Sequence, residues 1–205
     1  GLGDVYKRQH PAHLIHKIPD DVASEMAPLA EPLTIALHAL HRAKLTAGEH
    51  IAIIGAGAIG LMAALSALRY GATPILIDIV DERLQYAKSL GVPYVINPSN
   101  IRVIEAIKEI TQGTLAQVVV EASGANSAIR ETLDLASFAG RIAFTGWPKQ
   151  ETSLPTNLIT FKELDLRGSR TSAGEFEEAL QMLATLNINP ADVVSKVVNI
   201  CLLYT

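Results

Sequence analysis

Residues 50–60, HIAIIGAGAIG, decide the fold, because a short apolar run here ends in a glycine-rich turn. The run 51–54 (IAII) predicts a fully buried parallel strand, since both of its faces are apolar. The turn 55–60 (GAGAIG) has GxGxxG spacing and opens the amphipathic segment 61–70. The order of strand, glycine turn and helix indicates a dinucleotide-binding βαβ unit, whereas the glycine spacing alone would be a weak signal.

Each glycine of this turn is expected to have its own physical task. Gly55 makes the tight turn, Gly57 lets the backbone approach a pyrophosphate, and Gly60 lets the helix lie close to the strand. The free N–H groups at the start of the helix, together with the helix dipole, favour a bound diphosphate. The predicted cofactor-binding residues of the turn are therefore Gly55, Gly57, Ala58, Ile59 and Gly60.

An acidic residue, Asp78, ends the second predicted strand, 18 positions beyond Gly60. A carboxylate there accepts both hydroxyls of an adenosine ribose and repels a 2′-phosphate, which favours NAD over NADP. The alternative is a cap for the next helix, but Asp81 is better placed for that role. Arg83 lies in the first turn of the same helix, where it either reaches the adenosine ribose or is a solvated surface arginine.

Beyond residue 50, apolar strand patterns alternate with segments of helical length. Strands are predicted over 50–55, 74–78, 93–96, 116–121, 141–145 and 164–168. Helices are predicted over 58–70, 81–90, 99–111, 125–138 and 175–186, with a helical turn near 156–161. Six strands separated in this way predict a Rossmann α/β fold, which is a doubly wound six-stranded parallel sheet with right-handed crossovers.

Small and polar residues follow the fourth, fifth and sixth predicted strands. Ligands of open parallel sheets bind beyond the carboxyl ends of the strands. We therefore expect the nicotinamide half of the cleft to be lined by Ser123, Thr145 and Gly146. Ser169 and Arg170 follow the sixth strand, and Arg170 is expected either to meet the diphosphate or to form a surface ion pair.

The segment before the first strand has helical spacing that prolines interrupt. We predict a short helix after Pro19, a break over 28–32 and a longer helix that ends near Ala43. His38 and His41 lie one turn apart on that longer helix, and we interpret them as packing and surface residues rather than as a proton relay.

Composition and charge exclude several classes of protein. The chain has 205 residues, of which 49% are hydrophobic and 19% charged, as expected for a soluble globular protein. The formal charge of -4 is spread along the chain without a Lys/Arg run, so nucleic acid is not an expected partner. No apolar run reaches the ~18 residues of a membrane span, so no membrane partner is expected.

The two ends of the chain are expected not to belong to the gene. Residues 1–9 (GLGDVYKRQ) and 201–205 (CLLYT) back-translate to complementary parts of one sequencing-library adaptor. The gene segment is then about 10–200, and it loses Cys201, the only cysteine of the chain. A cysteine-free segment fits a reducing compartment, so a cytoplasmic location is expected.

Together these motifs resemble the zinc-type medium-chain dehydrogenases of the alcohol dehydrogenase superfamily, in particular the sorbitol, threonine and hexonate polyol branch. Besides the glycine turn, Asp78 and the strand ends, the shared runs are 30–33 (AEPL) and 45–49 (LTAGE). The resemblance covers residues 10–200. It implies three parts, which are the end of a GroES-like catalytic domain with linking helices (10–45), an NAD-binding domain (46–190) and the start of a return to the catalytic domain (191–200).

The resemblance implies an oxidoreductase that moves hydride between NAD and a secondary alcohol of a sugar alcohol or sugar acid. It also implies a homodimer or homotetramer and a catalytic zinc with Glu31 beside it. From the residues alone, Glu31 is a carboxylate that favours a helix N-terminus. The family's other zinc ligands, a Cys and a Gly-His-Glu element, have no match here, so the chain alone is expected to bind cofactor without turning over substrate.

Two alternatives stay open at this point. One is a non-catalytic NAD-binding module, because a fold without its site does not define a chemistry. The other is a zinc-independent reductase of the same superfamily. Those reductases commonly prefer NADPH, and Asp78 argues against that preference.

Overall fold

The computed structural model describes residues 10–186, 193, 194 and 198. The two predicted tails, 1–9 and 201–205, lie outside the described residues, as does most of the predicted return segment 191–200.

Strands and helices alternate along the chain in the predicted order. The strands are β1 (His50–Ile54), β2 (Thr73–Ile77), β3 (Tyr94–Ile96), β4 (Ala116–Glu121), β5 (Ala136–Phe144) and β6 (Asp165–Gly168). The helices are α1 (Ala30–Arg42), α2 (Ala58–Arg69), α3 (Asp81–Ser89), α4 (Val103–Ile110), α5 (Asn126–Leu135), α6 (Thr156–Lys162) and α7 (Phe176–Leu183).

The six strands form one parallel sheet in the order β3-β2-β1-β4-β5-β6. The strand order reverses between β1 and β4, which are hydrogen-bonded neighbours at the centre of the sheet. Such a reversal opens a crevice at the carboxyl edge, where open α/β sheets bind their ligands. The predicted doubly wound six-stranded Rossmann sheet is confirmed.

The core has two parts, one on each face of the sheet. Alternate residues of β1 point to opposite faces, so Ile51 and Ile53 join one cluster while Ala52 and Ile54 join the other. The first cluster lies under α1, α2, α3 and α7, and the second lies under α4 and α5. Both faces of β1 are therefore buried, as the uninterrupted apolar run predicts.

Helix α1 packs on the same face of the sheet as α2 and α7. Its inner side carries three fully buried leucines at helical spacing, Leu33, Leu37 and Leu40. The predicted linking helix thus shares the core of the sheet domain, and a domain boundary near residue 45 stays a prediction. Within the described ranges, no helix combines the length and apolarity that a bilayer crossing requires.

The prolines before β1 act differently from the prediction. The short helix expected after Pro19 is absent from residues 19–26, and a 3-10 turn, Ala27–Leu29, directly precedes α1. Helix α1 begins at Ala30, so Pro32 lies in its first turn, where no intrahelical bond needs its missing N–H. The predicted break over 28–32 is wrong beyond residue 29.

Strand β5 begins five residues earlier than predicted, and α5 ends earlier to match it. Ala116 pairs with Ala136 but Val118 pairs with Arg141, so β5 contains extra residues as a bulge. Ala139 within the bulge has a positive φ of 53°. Helical periodicity runs through this segment, which is why the sequence predicted helix there.

Candidate functional site

The glycine turn between β1 and α2 is shaped by close backbone approaches. Gly55 has φ +104°, and a Cβ there would lie 3.1 Å from the carbonyl carbon of Ala122 and the nitrogen of Ser123. A Cβ at Gly60 would lie 1.7 Å from the Gly55 oxygen, which no side chain tolerates. A Cβ at Gly57 would meet nothing within 4 Å. Packing therefore requires Gly55 and Gly60, whereas Gly57 leaves open space above the turn.

The start of α2 presents free donors to that space. Gly57 is the N-cap residue in an extended conformation, and no side chain caps the helix. The N–H groups of the first three helical residues have no partner within a helix. Ala58 is exposed and Ile59 half-buried. The arrangement matches an anion site, because these donors and the helix dipole both favour negative charge.

Asp78 directly follows β2 and is connected to the glycine turn. Its Oδ2 accepts a hydrogen bond from the Ala56 N–H at 2.6 Å, and its Oδ1 accepts one from the Val80 N–H at 2.8 Å. The side chain is 8% exposed, and Arg83 Nη1 lies 3.7 Å from Oδ2. Val80 is the N-cap residue of α3. Asp78 accepts the N–H of Val80 itself and not an N–H of the first helical turn, so Asp78 does not cap the helix. Asp78 instead holds the glycine turn against the end of β2.

Glu121, the last residue of β4, organises the turns after β4 and β5. Its carboxylate is fully buried and its Oε1 accepts bonds from the Ser123 N–H at 2.9 Å, the Ser123 hydroxyl at 2.5 Å and the Gly124 N–H at 3.0 Å. Its backbone oxygen accepts the N–H groups of Thr145 and Gly146 at 2.9 and 3.0 Å. One residue therefore fixes both turns that were predicted to line the nicotinamide half.

The hydroxyls of this half are committed to internal bonds. The Ser123 hydroxyl donates to Glu121, and the Thr145 hydroxyl donates to the Glu121 backbone oxygen at 3.0 Å. A Cβ at Gly146 would lie 2.3 Å from Glu121 Oε2 and from the Gly124 nitrogen, so this position requires glycine. The polar surface that remains for a ligand is mainly backbone.

The loop after β6 carries two polar side chains with uncommitted donors. Ser169 is 6% exposed, its N–H donates to the Phe144 oxygen at 2.9 Å, and its hydroxyl has no hydrogen-bond partner among the described residues. The Arg170 guanidinium makes no hydrogen bond or ion pair within the described ranges, and its Cζ lies 5.4 Å from the ring centroid of Trp147. The surface ion pair that was the alternative for Arg170 is therefore not formed with any described residue.

A buried polar network ties that loop to α1. Glu175 Oε1 lies 2.8 Å from His38 Nδ1 and 3.4 Å from His41 Nδ1, and its Oε2 accepts the Ala173 N–H at 2.5 Å. Burial raises the pKa of Glu175, but the bonds from His38 and from the Ala173 N–H outweigh burial and lower the pKa to about 2. His38 and His41, interpreted as packing and surface residues, are thus joined to the end of the β6 loop.

The parallel sheet brings most predicted site residues to one edge and leaves one apart. The glycine turn, Asp78, Arg83 and the residues after β4, β5 and β6 all follow the carboxyl ends of strands. Glu31 lies instead in the first turn of α1, where it is exposed. Within the described ranges, no group of three or more His, Cys, Asp or Glu side chains is arranged to hold a metal ion. The described residues therefore do not form a zinc site.

Sequence reasoning assigned no role to Glu121, which it placed only at a strand end, or to Ile79. Glu121 ends an otherwise apolar strand pattern. A carboxylate in such a strand was the available signal, because a buried carboxylate must accept hydrogen bonds from its surroundings. Ile79 directly follows Asp78 and is 72% exposed, and an apolar residue after an acidic strand end was the available signal.

Residues 58–185 match the family of zinc-binding dehydrogenases. The chain belongs to this family. It is 65% identical over 196 residues to an uncharacterized zinc-type alcohol dehydrogenase-like protein of Haemophilus influenzae. The match covers 96% of this chain and 57% of that protein. It is 35% identical over 170 residues to the sorbitol dehydrogenase of Bacillus subtilis, covering 82% of this chain and 48% of that enzyme. The resemblance found in the sequence is confirmed.

Solved structures share the fold over most of the chain. A short chain alcohol dehydrogenase from Escherichia coli CFT073, complexed with NADH, is 32% identical with a TM-score of 0.80, and the match covers 88% of this chain and 54% of that one. A protein from Sinorhizobium meliloti 1021, bound to NADP, is 27% identical with a TM-score of 0.78, covering 83% and 51%. The chain thus spans about half the length of the relatives it matches.

Proposed function

We propose that the chain is the cofactor-binding part of a zinc-dependent alcohol or polyol dehydrogenase, which transfers hydride between NAD and a secondary alcohol of a sugar alcohol or sugar acid. One observation carries this proposal. The Asp78 carboxylate accepts the Ala56 N–H at 2.6 Å, so a ribose acceptor and the diphosphate donors of the glycine turn lie side by side. The sorbitol dehydrogenase relative supports the choice of polyol.

The residues present fit a dinucleotide. The diphosphate would lie over Gly57, where no atom occupies the place of a Cβ, and would receive the N–H groups of Ala58 and Ile59. Uncommitted donors also follow β6 at the same edge of the sheet, in the Ser169 hydroxyl and the Arg170 guanidinium. When bound, the nicotinamide supplies the hydride acceptor. The chain's own residues bind and orient it.

The two ends of the dinucleotide would meet different surfaces. The adenosine ribose would donate to Asp78, and the exposed Ile79 offers an apolar face for the adenine. The carboxamide would meet the backbone of the turns that hold Ser123, Thr145 and Gly146, because the hydroxyls there already donate to Glu121.

NAD is the proposed cofactor, although one structural neighbour is bound to NADH and another to NADP. A 2′-phosphate would be brought against the Asp78 carboxylate, and two negative charges in contact repel. Arg83 Nη1 lies 3.7 Å from that carboxylate, and its half-exposed side chain is proposed to reach the adenosine ribose beside Asp78.

Glu31 is proposed to lie beside the catalytic zinc, whose other ligands would come from residues outside this chain. The described residues do not complete that site, so the chain's own contribution to the reaction is to bind and orient the dinucleotide. A homodimer or homotetramer and a cytoplasmic location are further proposals. The first rests on the family, and the second rests on the absence of cysteine from residues 10–200.

Calorimetric titration of the chain with NADH and NADPH tests the cofactor. We expect NADH to bind at least about tenfold more tightly, which corresponds to one charged contact made or lost. Tighter NADPH binding would overturn the NAD assignment and favour a zinc-independent reductase. The same protein, supplied with zinc, NAD and sorbitol, is expected to show no NADH formation, and zinc-dependent turnover would contradict the incomplete zinc site.

A further inference from the structure

Asn97 directly follows β3 and is buried, with 9% of its surface exposed. Its amide nitrogen donates to the Asp81 carboxylate at 2.7 Å and to the Ile79 backbone oxygen at 3.3 Å. Its amide oxygen accepts the Ser99 N–H at 2.9 Å. Both donors of the amide are therefore directed at the turn after β2, residues 78–81, which carries the proposed ribose acceptor.

The turn after β2 lies between two neighbours, as the strand order β3-β2-β1 requires. On the β1 side, the Ala56 N–H of the glycine turn donates to Asp78 Oδ2 at 2.6 Å. On the β3 side, the Asp78 N–H donates to the Ile96 oxygen at 3.2 Å, and Asn97 adds its two bonds further along the turn. Asp78 is thus held from both sides, and Asn97 supplies the side-chain part of the support from β3.

The bond to the Ile79 oxygen bears on the conformation of this turn. Ile79 is 72% exposed, although the burial of an apolar side chain of this size is favourable. The turn must therefore be held by contacts other than the burial of Ile79. Asn97 supplies such contacts from the end of the neighbouring strand. Both proposed adenosine surfaces, the Asp78 carboxylate and the exposed Ile79, thus depend on a turn that Asn97 fixes.

We propose that Asn97 is a positioning residue for cofactor recognition, because it fixes the turn so that the Asp78 carboxylate meets the 2′-hydroxyl of the adenosine ribose. Asn97 acts through Asp78 and needs no contact with the cofactor. A hydrogen bond weakens steeply when its distance or angle is wrong, so a small shift of the turn is enough to impair the ribose contact. This inference rests on the proposed function, since it assumes that a dinucleotide binds at the glycine turn with its ribose at Asp78.

Calorimetry with ADP and 2′-deoxy-ADP measures the contact that Asn97 is proposed to support. The two ligands carry the same charge and differ only by the 2′-hydroxyl, so the ratio of their Kd values reports the ribose contact. In the wild-type chain, 2′-deoxy-ADP should bind about tenfold more weakly, because it lacks a hydrogen bond to a charged acceptor. Asp78→Ala should make the two Kd values equal, since it removes that acceptor.

Two substitutions of Asn97 test its role. Asn97→Ala removes the whole amide, whereas Asn97→Asp keeps its shape and replaces the donor by an acceptor that repels the Asp81 carboxylate. Both should lower the ratio of Kd values from about tenfold to about three-fold, since the turn then loses its side-chain support from β3. Asn97→Ala should leave the ratio unchanged when Asp78 is already Ala, because the contact it acts on is absent.

A milder variant and a matched control complete the set. Asp81→Ala removes the acceptor of the 2.7 Å bond and should give an intermediate ratio. Asp81 is exposed, so this change leaves the core intact. Asn100→Ala removes an exposed amide from the loop that follows β3, and it should leave the ratio at the wild-type value.

A purely structural role of Asn97 predicts a different result. Asn97 variants that are less stable, or that bind both ligands more weakly by one common factor, would keep the wild-type ratio and overturn the positioning role. If the Asn97 variants fail to fold, a wild-type ratio in Asp81→Ala overturns it instead. If the wild-type chain binds neither ligand, or binds both equally, the proposed role of Asp78 fails and this inference with it. That result is distinct, because a failure of Asn97 alone leaves the wild-type preference for ADP intact.

Discussion

The two halves of the sheet edge are built in different ways. Around β1 and β2 the site is made of backbone, where the glycine turn supplies donors and Asp78 holds that turn in place. Around β4 and β5 the turns are held by Glu121, whose carboxylate bonds the turn after β4 and whose backbone oxygen bonds the turn after β5. An added Cβ is excluded in both halves, at Gly60 and at Gly146, but the donors of the first half belong to the backbone itself, whereas the turns of the second half depend on one buried carboxylate.

Two glycine variants test the backbone half, which is the half around β1 and β2. One of them has the largest expected effect on stability. Gly60→Ala should lower the free energy of unfolding by about 3 kcal/mol, because its Cβ would overlap the Gly55 backbone oxygen. Gly57→Ala should leave stability unchanged but weaken NADH binding, since its Cβ would occupy only open space. Urea unfolding and calorimetry measure the two effects. Equal stability of the two variants would remove the distinction between packing and binding glycines.

The second prediction concerns the side-chain half. Glu121→Ala should lower the free energy of unfolding by about 2 kcal/mol, because it removes the buried carboxylate that accepts the Ser123 and Gly124 donors. Glu151→Ala, at an exposed position, is the control and should have no effect in the same urea unfolding experiment. A Glu121→Ala protein as stable as the wild type would show that the two turns hold themselves.

The third prediction concerns cofactor selectivity. Asp78→Ala should weaken NADH binding about tenfold, because it removes a charged ribose acceptor, and should abolish the preference for NADH over NADPH. Glu82→Ala removes an exposed negative charge from the first turn of α3 and is the matched control. Calorimetric Kd values for both cofactors measure the effect. A selectivity that survives in Asp78→Ala would move the discrimination to the other half of the edge.

The smallest effect is expected at Glu175, which fixes the end of the β6 loop. Because its pKa falls from 4.5 to about 2, its contribution to stability is complete above pH 4.5 and is lost as the pH falls toward 2. Glu175→Gln should cost about 1 kcal/mol at pH 6 and should flatten the loss of stability across that acidic window.

Unfolding at several pH values checks the Glu175 prediction. Glu177→Gln, an exposed change on the same helix, should behave as the wild type. If both variants lose stability below pH 4.5 as steeply as the wild type does, the network with His38 does not cause the acid sensitivity.

The contrast between the halves also explains what the sequence could predict. The glycine turn was visible because a tight turn, a close approach and an open space each demand glycine at a set spacing. Glu121 was not, because its partners Thr145 and Gly146 become neighbours only when β4 and β5 pair. The effect of Pro32 was misjudged for a local reason. A proline interrupts the interior of a helix but is accepted in its first turn, and the sequence did not show where α1 begins.

The bond from the Ala56 N–H to Asp78 joins two groups of this chain and needs no atom of a ligand. The loop that would receive the diphosphate is therefore preorganised, and the entropy of ordering it is lost during folding rather than during association. Dinucleotide binding at this edge should accordingly proceed in a single kinetic phase, at a rate set by diffusional encounter and orientation rather than by rearrangement of the loop.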